Sequence, residues 1–202
     1  MPKLVLATSN AHKTAEIQAF LGSDWQVSDL SDLPKDSFPE EDGQTFAENA
    51  LIKAEAAALH HTEAMVLADD SGLEVDVLGG EPGIYSARYS GPDATDADNR
   101  IHLTEQLAQR GAKLQPWLAR FRCSLALIEP GEPERQVFEG TVEGQIRSSE
   151  SGGGGFGYDP LFQPAGYDDT FGILPESVKN EISHRARAMA KLKAYLDGKT
   201  AS

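Results

Sequence analysis

The chain has 202 residues, 40% of them hydrophobic, enough for one domain with a real core that two lobes could share. Its 32 acidic residues against 18 basic ones leave a formal net charge of -14, which repels nucleic acid and anionic membranes and argues against both as partners. The same field repels a polyphosphate at long range, so an anionic substrate needs a local cluster of cations, helix N-termini or metal.

In chain order, Lys3 to Ala7 reads as a buried first strand. Its apolar run Leu4-Val5-Leu6-Ala7 is too short for a signal segment or a membrane span. Thr8-Ser9-Asn10 turns the chain into a helix from Ala11 to Leu21, with Gly22 as its stop. Val27 opens a weaker strand. Residues 31–44, with two prolines and Glu40-Glu41-Asp42-Gly43, read as a polar loop. Thr45-Phe46-Ala47-Glu48 is a capping box that starts an alanine-rich helix running to about His60. A short strand, Met65 to Ala68, leads into Asp69-Asp70-Ser71-Gly72. Leu73 to Leu78 alternates in part, Gly79 to Gly91 reads as a loop, and Thr95 to Arg110 as a helix. Ala119 to Ile128 and Gln136 to Ile146 read as a hairpin around Pro130-Gly131-Glu132-Pro133. Gly152 to Asp159 is a glycine-rich loop, and Ser183 to Leu196 a closing helix. Helices and strands alternate early and a strand pair follows, so the fold class is α/β with a mixed sheet flanked by helices. No repeat or linker divides the chain, and 1–202 is taken as a single domain. Cys123 is the only cysteine, which excludes an intramolecular disulfide and fits a cytoplasmic protein.

Four segments hold groups suited to chemistry. At Thr8-Ser9-Asn10-Ala11-His12-Lys13 a strand ends and a helix begins, and helix N-terminal amides attract anions. Lys13 opposes the dipole in the first turn, which a bound phosphate would explain; simple capping by Ser9 or Asn10 is the plainer alternative. The glycine spacing of a P-loop is absent. Asp69 and Asp70 follow an apolar strand, where open α/β sheets place ligands. Alternation should point the two carboxylates differently, and one of them suits Mg²⁺ with Glu40 or Glu41 as the second acid. An Asx-turn leaving the strand is the plainer reading. In Gly152-Gly153-Gly154-Gly155-Phe156-Gly157-Tyr158-Asp159-Pro160 the glycines permit close backbone approach and the aromatics suit a base; a flexible surface loop is the alternative. Lys179 and Ser183-His184-Arg185 place donors at a helix start, with Ser183 as N-cap, although His184 could equally be a surface or core histidine. The histidines show no zinc spacing with Cys123, and no Gly-x-Ser-x-Gly elbow occurs.

Taken together and in this order, the segments resemble the inosine triphosphatase family, pyrophosphatases of deaminated purine nucleotides. The resemblance rests on Leu6-Ala7-Thr8-Ser9-Asn10 with Lys13, Thr45-Phe46-Ala47-Glu48-Asn49-Ala50 and Ala68-Asp69-Asp70-Ser71-Gly72-Leu73. It continues through Pro82-Gly83-Ile84-Tyr85-Ser86-Ala87-Arg88-Tyr89, Gly155-Phe156-Gly157-Tyr158-Asp159-Pro160 and Ser183-His184-Arg185. It implies an elongated two-lobed fold with a central substrate cleft, a homodimer, and Mg²⁺-dependent hydrolysis of dITP, ITP or XTP to a monophosphate and pyrophosphate. By the same resemblance Thr8, Ser9, Asn10, Ala11, His12 and Lys13 hold the triphosphate, assisted by Lys53. Asp70 binds Mg²⁺ and serves as base, Glu41 is the second metal contact, and Asp69 supports them. Ser71 touches the substrate near the sugar or phosphates. Phe156 stacks on the base, with Gly157, Tyr158, Asp159, Lys179, His184 and Arg185 around it. Two features depart from the family pattern: Asp42 beside Glu41, and a longer glycine run from Gly152. A nucleotide sensor without activity would lack the acids Glu41 and Asp70, and a pyrimidine-specific relative would lack the Phe156 and His184-Arg185 segments.

Overall fold

The computed structural model describes residues 1–30, 39–111 and 115–200. The part of the expected polar loop at 31–38 lies outside the described residues, as do the side chains of Ala11 and His12. Six strands form one sheet in the order β2-β1-β3-β4-β5-β6. These are β1 (Lys3–Leu6), β2 (Gln26–Asp29), β3 (Met65–Val75), β4 (Trp117–Ile128), β5 (Gln136–Ile146) and β6 (Phe162–Pro164). β1 runs parallel to both β2 and β3, and β5 antiparallel to β6, so the sheet is mixed as expected. The helices are α1 (Ala11–Leu21), α2 (Phe46–Ala58), α3 (Asp96–Gln106), α4 (Glu176–Ile182) and α5 (His184–Thr200). Among the described residues, no helix is long and apolar enough to cross a membrane.

The single domain expected from the sequence divides into two compact units. The first comprises Met1–Asp70, Cys123–Glu139 and Ala188–Ser202; the second comprises Ser71–Arg122 and Gly140–Arg187. In the first unit the strands are apolar on both faces, and alternation sorts their side chains into two cores. Leu4, Leu6, Leu67, Leu125 and Leu127 pack with Ile17 and Leu21 of α1 and with Met189 and Leu192 of α5. Val5, Ala7, Val66, Ala68, Ala126 and Ile128 pack with Ala50, Ala54 and Ala57 of α2. The core of the second unit is richer in aromatics, with Phe121, Phe162 and Phe171 among its members.

Several boundaries differ from the expectations. β3 does not stop at Ala68 but continues unbroken to Val75, so Asp69 and Asp70 lie inside a strand and not in a turn at its end. Each acid meets a lysine there, and local propensity is overridden. The loop from Gly79 to Gly91 contains a 3₁₀ turn over Gly83–Arg88, and the helix expected to Arg110 changes to a π turn over Leu107–Gly111. β6 and α4 are too short to announce themselves by periodicity.

The capping box forms as expected. Thr45 Oγ1 accepts the Glu48 N–H at 3.1 Å, and Glu48 Oε2 accepts the Thr45 N–H at 3.1 Å. Thr45→Ala should therefore cost about 1 kcal/mol in urea unfolding, and Thr45→Ser should retain most of that. Equal losses in both variants would show that the methyl group, not the cap, matters.

Candidate functional site

Along β3, successive side chains point to opposite faces of the sheet. Asp69 shares the parity of Leu67 and faces the α1 side, whereas Asp70 shares that of Ala68 and faces α2. Each carboxylate meets a lysine from the helix on its own face. Asp69 pairs with Lys13 of α1 and accepts a contact from the Cys123 thiol at 3.2 Å. Asp70 Oδ1 accepts from Lys53 Nζ of α2 at 2.7 Å, and Glu41 Oε1 lies 3.4 Å from the same nitrogen. Burial alone would lower the Lys53 pKa, but the carboxylates of Asp70 and Glu41 outweigh it and hold the ammonium above its ordinary value. Burial raises the Asp70 carboxyl; Lys53 pulls against this and Glu41 adds to it. Asp70 Oδ2 is buried with no hydrogen-bond partner among the described residues. Glu40 is exposed, and it is Glu41 that reaches Lys53.

The N-terminus of α1 is capped by Asn10, whose Oδ1 accepts the Lys13 N–H at 3.4 Å, while Thr8 Oγ1 accepts the Asn10 N–H at 3.1 Å. Ser9 is exposed. The first-turn position of Lys13 needs no phosphate to explain it, because Asp69 already balances its charge.

In the second unit, Asp159 organises the glycine-rich loop. Its Oδ2 accepts the Phe156 N–H at 2.9 Å and Lys179 Nζ at 2.5 Å. Lys179 Nζ in turn lies 4.2 Å from the centre of the Phe156 ring, and Arg185 Cζ lies 5.8 Å from it. Arg185 Nη2 donates to Ser71 Oγ at 3.2 Å. Gly157 is gripped from α3: its N–H donates to Asp96 at 2.7 Å, and Arg100 donates to its carbonyl at 2.8 Å. The Gly154 N–H donates to the Gly172 carbonyl at 3.0 Å, so the glycine run is anchored and is not a free surface loop. Ser183 caps α5, accepting the Ala186 N–H at 3.2 Å.

Two residues expected beside a base have other work in this structure. The Tyr158 side chain lies in the core and donates its hydroxyl to the Ser86 carbonyl at 2.8 Å. His184 is buried and stacks on Phe121 at 4.9 Å, which favours its packing role. Sequence reasoning passed over Cys123, Asp96 and Arg100, because their contacts with Asp69 and Gly157 span 54 to 61 residues and leave no local pattern. Among the described residues, no group of three His, Cys, Asp or Glu side chains is arranged to hold a metal.

Gly155 has φ +73°, and a Cβ there would collide with the Asp159 carboxylate. Gly155→Ala should therefore cost at least about 1–2 kcal/mol of stability and speed exchange of the Phe156 amide proton. Unchanged exchange at Phe156 would show that Asp159 does not hold this loop.

A model of the Ham1 family matches residues 4–195. The dITP/XTP pyrophosphatase of Bacillus licheniformis is 46% identical over 198 residues, covering 98% of this chain and 99% of its own. That of Geobacter sulfurreducens is 47% identical over 197 residues, 97% of each chain. The solved structure of the Staphylococcus aureus Ham1 protein is 41% identical, superimposes with a TM-score of 0.87, and covers 98% of this chain and 99% of its own. Matches of this extent establish that the chain belongs to the Ham1 family.

Proposed function

We propose that this protein hydrolyses non-standard purine nucleoside triphosphates, dITP or ITP and XTP or dXTP, to the monophosphate and pyrophosphate. It acts with Mg²⁺, as a cytoplasmic homodimer that clears deaminated purines from the nucleotide pool. The observation that carries the reading is Asp70: a buried carboxylate with one oxygen on Lys53, the other without a partner among the described residues, and Glu41 beside the same lysine. The names of the full-length relatives agree with it.

The residues fit the metal. Magnesium takes one or two carboxylates and completes its shell with water and phosphate oxygens, so a cage of three protein acids is not required. Asp70 through Oδ2, with Glu41, would hold it. Once bound, the ion spreads the charge that develops on the departing pyrophosphate. The remaining roles fall to side chains. Asp70, raised by burial, accepts the proton of the water that attacks the α-phosphorus. The amides at the start of α1, with Thr8, Ser9, Asn10 and Lys13, hold the triphosphate, and Lys53 adds charge. Asp69 keeps Lys13 in place. Phe156 stacks on the base over a support of Lys179 and Asp159, and Arg185 donates to a 6-oxo group.

Three measurements test this. Pyrophosphate release should be fast with dITP, ITP and XTP and slow with dATP; release of orthophosphate instead would overturn the assignment. Asp70→Asn should lower kcat by at least about 10²–10⁴ with the fold retained, and more than roughly a tenth of wild-type turnover would remove Asp70 from its role. Adenine would set its 6-amino donor against a guanidinium that can only donate, so the preference for dITP over dATP in kcat/KM should be at least about 10². Arg185→Ala should shrink that ratio mainly by slowing dITP. An unchanged ratio would place base reading in the backbone of the Phe156 to Asp159 loop.

A further inference from the structure

The inside stripe of α2 is Phe46, Asn49, Ala50, Lys53, Ala54 and Ala57, the spacing of a helix face packed on a sheet. Two of those six residues are polar. Lys53 is explained by Asp70 and Glu41. Asn49 has 0% exposure, and its amide nitrogen finds no hydrogen-bond partner among the described residues. A buried donor left unsatisfied lowers stability, so an apolar residue would suit this position better if packing were all it did. What Asn49 does make is one bond to the acidic loop: its Oδ1 accepts the Gly43 N–H at 2.9 Å. Next to it, Glu48 Oε2 accepts the Gln44 N–H at 2.6 Å and the Thr45 N–H at 3.1 Å. The loop leaves no room there, since a Cβ on Gly43 would lie 2.6 Å from Asn49 Oδ1 and 2.8 Å from Glu48 Cβ. Asn49 and Lys53 are four residues apart on one helix and so lie on one face. One grips the backbone two residues after Glu41; the other grips the Glu41 carboxylate at 3.4 Å.

We propose that Asn49 is a positioning residue, which latches the Gly43 backbone to α2 and thereby sets Glu41 beside Lys53 and Asp70 as the second acid of the metal site. The inference rests on the pyrophosphatase reading and adds to it the residue that places the acidic loop. Asn49 touches neither metal nor nucleotide in this role. The acidic run, with Asp42 next to Glu41, makes such a latch necessary: without it Glu40, Glu41 and Asp42 are three adjacent carboxylates competing for one lysine.

The test uses the whole protein and two variants that break the same contact from opposite sides, Asn49→Ala and Gly43→Ala. Mn²⁺ binding to the nucleotide-free protein is followed by electron paramagnetic resonance, and the half-saturating Mg²⁺ concentration is read from pyrophosphate release at saturating dITP. Each variant should weaken Mn²⁺ binding and raise half-saturating Mg²⁺ by about 10-fold, the usual effect of removing a residue that orients a metal ligand. In each, kcat should recover at high metal. The double variant should bind Mn²⁺ no more weakly than Gly43→Ala alone, because that change has already forced the loop off Asn49. A merely structural Asn49 would move the urea midpoint and leave the metal dependence alone, which would overturn the proposal. Additive effects in the double variant would overturn it too. If the wild-type protein neither binds Mn²⁺ nor releases pyrophosphate, the pyrophosphatase reading fails and takes the latch with it. If the wild-type protein does both and Asn49→Ala keeps wild-type metal dependence, the latch alone fails.

Discussion

The alternation of side chains along β3 is the constraint on which the first cluster depends. Two adjacent aspartates in a strand cannot face the same way, so Asp69 and Asp70 enter opposite layers of the first unit. Each is then a carboxylate placed in an otherwise apolar layer, and each is tolerated because a helix on that side supplies a lysine. Lys13 reaches Asp69 from α1, and Lys53 reaches Asp70 from α2. A shift of one residue in the register of β3 would exchange the partners of both acids and turn Leu67 from the α1 and α5 layer into the alanine-lined α2 layer. Apolar packing thus fixes which aspartate joins which lysine, and the chemistry follows from that assignment.

Buried ion pairs of this sort are poor sources of stability, because the cost of removing both charges from water offsets their attraction. Their value here is placement. Desolvation acts on Asp70 strongly enough to hold its carboxyl above the ordinary range in spite of two nearby lysines. The second unit uses the same device, with Lys179 and Asp159 at 2.5 Å and both almost wholly buried. There the pair serves an aromatic ring: Asp159 ties down the Phe156 backbone, and Lys179 lies under the ring face, where a cation is attracted to the π system. Each unit therefore contains a lysine–carboxylate pair that orders one loop or strand segment and presents one functional group.

The acidic composition gains a local meaning from this arrangement. The chain carries a net charge of -14, yet Lys13 and Lys53 in the first unit and Lys179 and Arg185 in the second each meet a carboxylate or hydroxyl partner of their own unit.

Much of this could be read from the sequence by itself. The periodicity of α1 and α2, the capping box at Thr45, the hairpin strands β4 and β5 and the N-cap at Ser183 are signalled within a few residues of where they form, so local rules find them. The ordered segments also identify the family, and they place Asp70, Lys53, Phe156 and Arg185 among the residues of interest. Sequence reasoning failed where the deciding partner is distant. It ended β3 at Ala68, because two adjacent aspartates look like a turn until their lysines are in place. It left the carboxylate partner of Lys13 unread, because Asp69 stands 56 residues away. It set Tyr158 beside a base, whereas the core claims that ring. The helical and strand periods and the capping residues are short-range properties of the chain, and the sequence determined them; which buried charge meets which, and which aromatic ring is packed away, depend on desolvation and on contacts across tens of residues, and only the tertiary structure decided those.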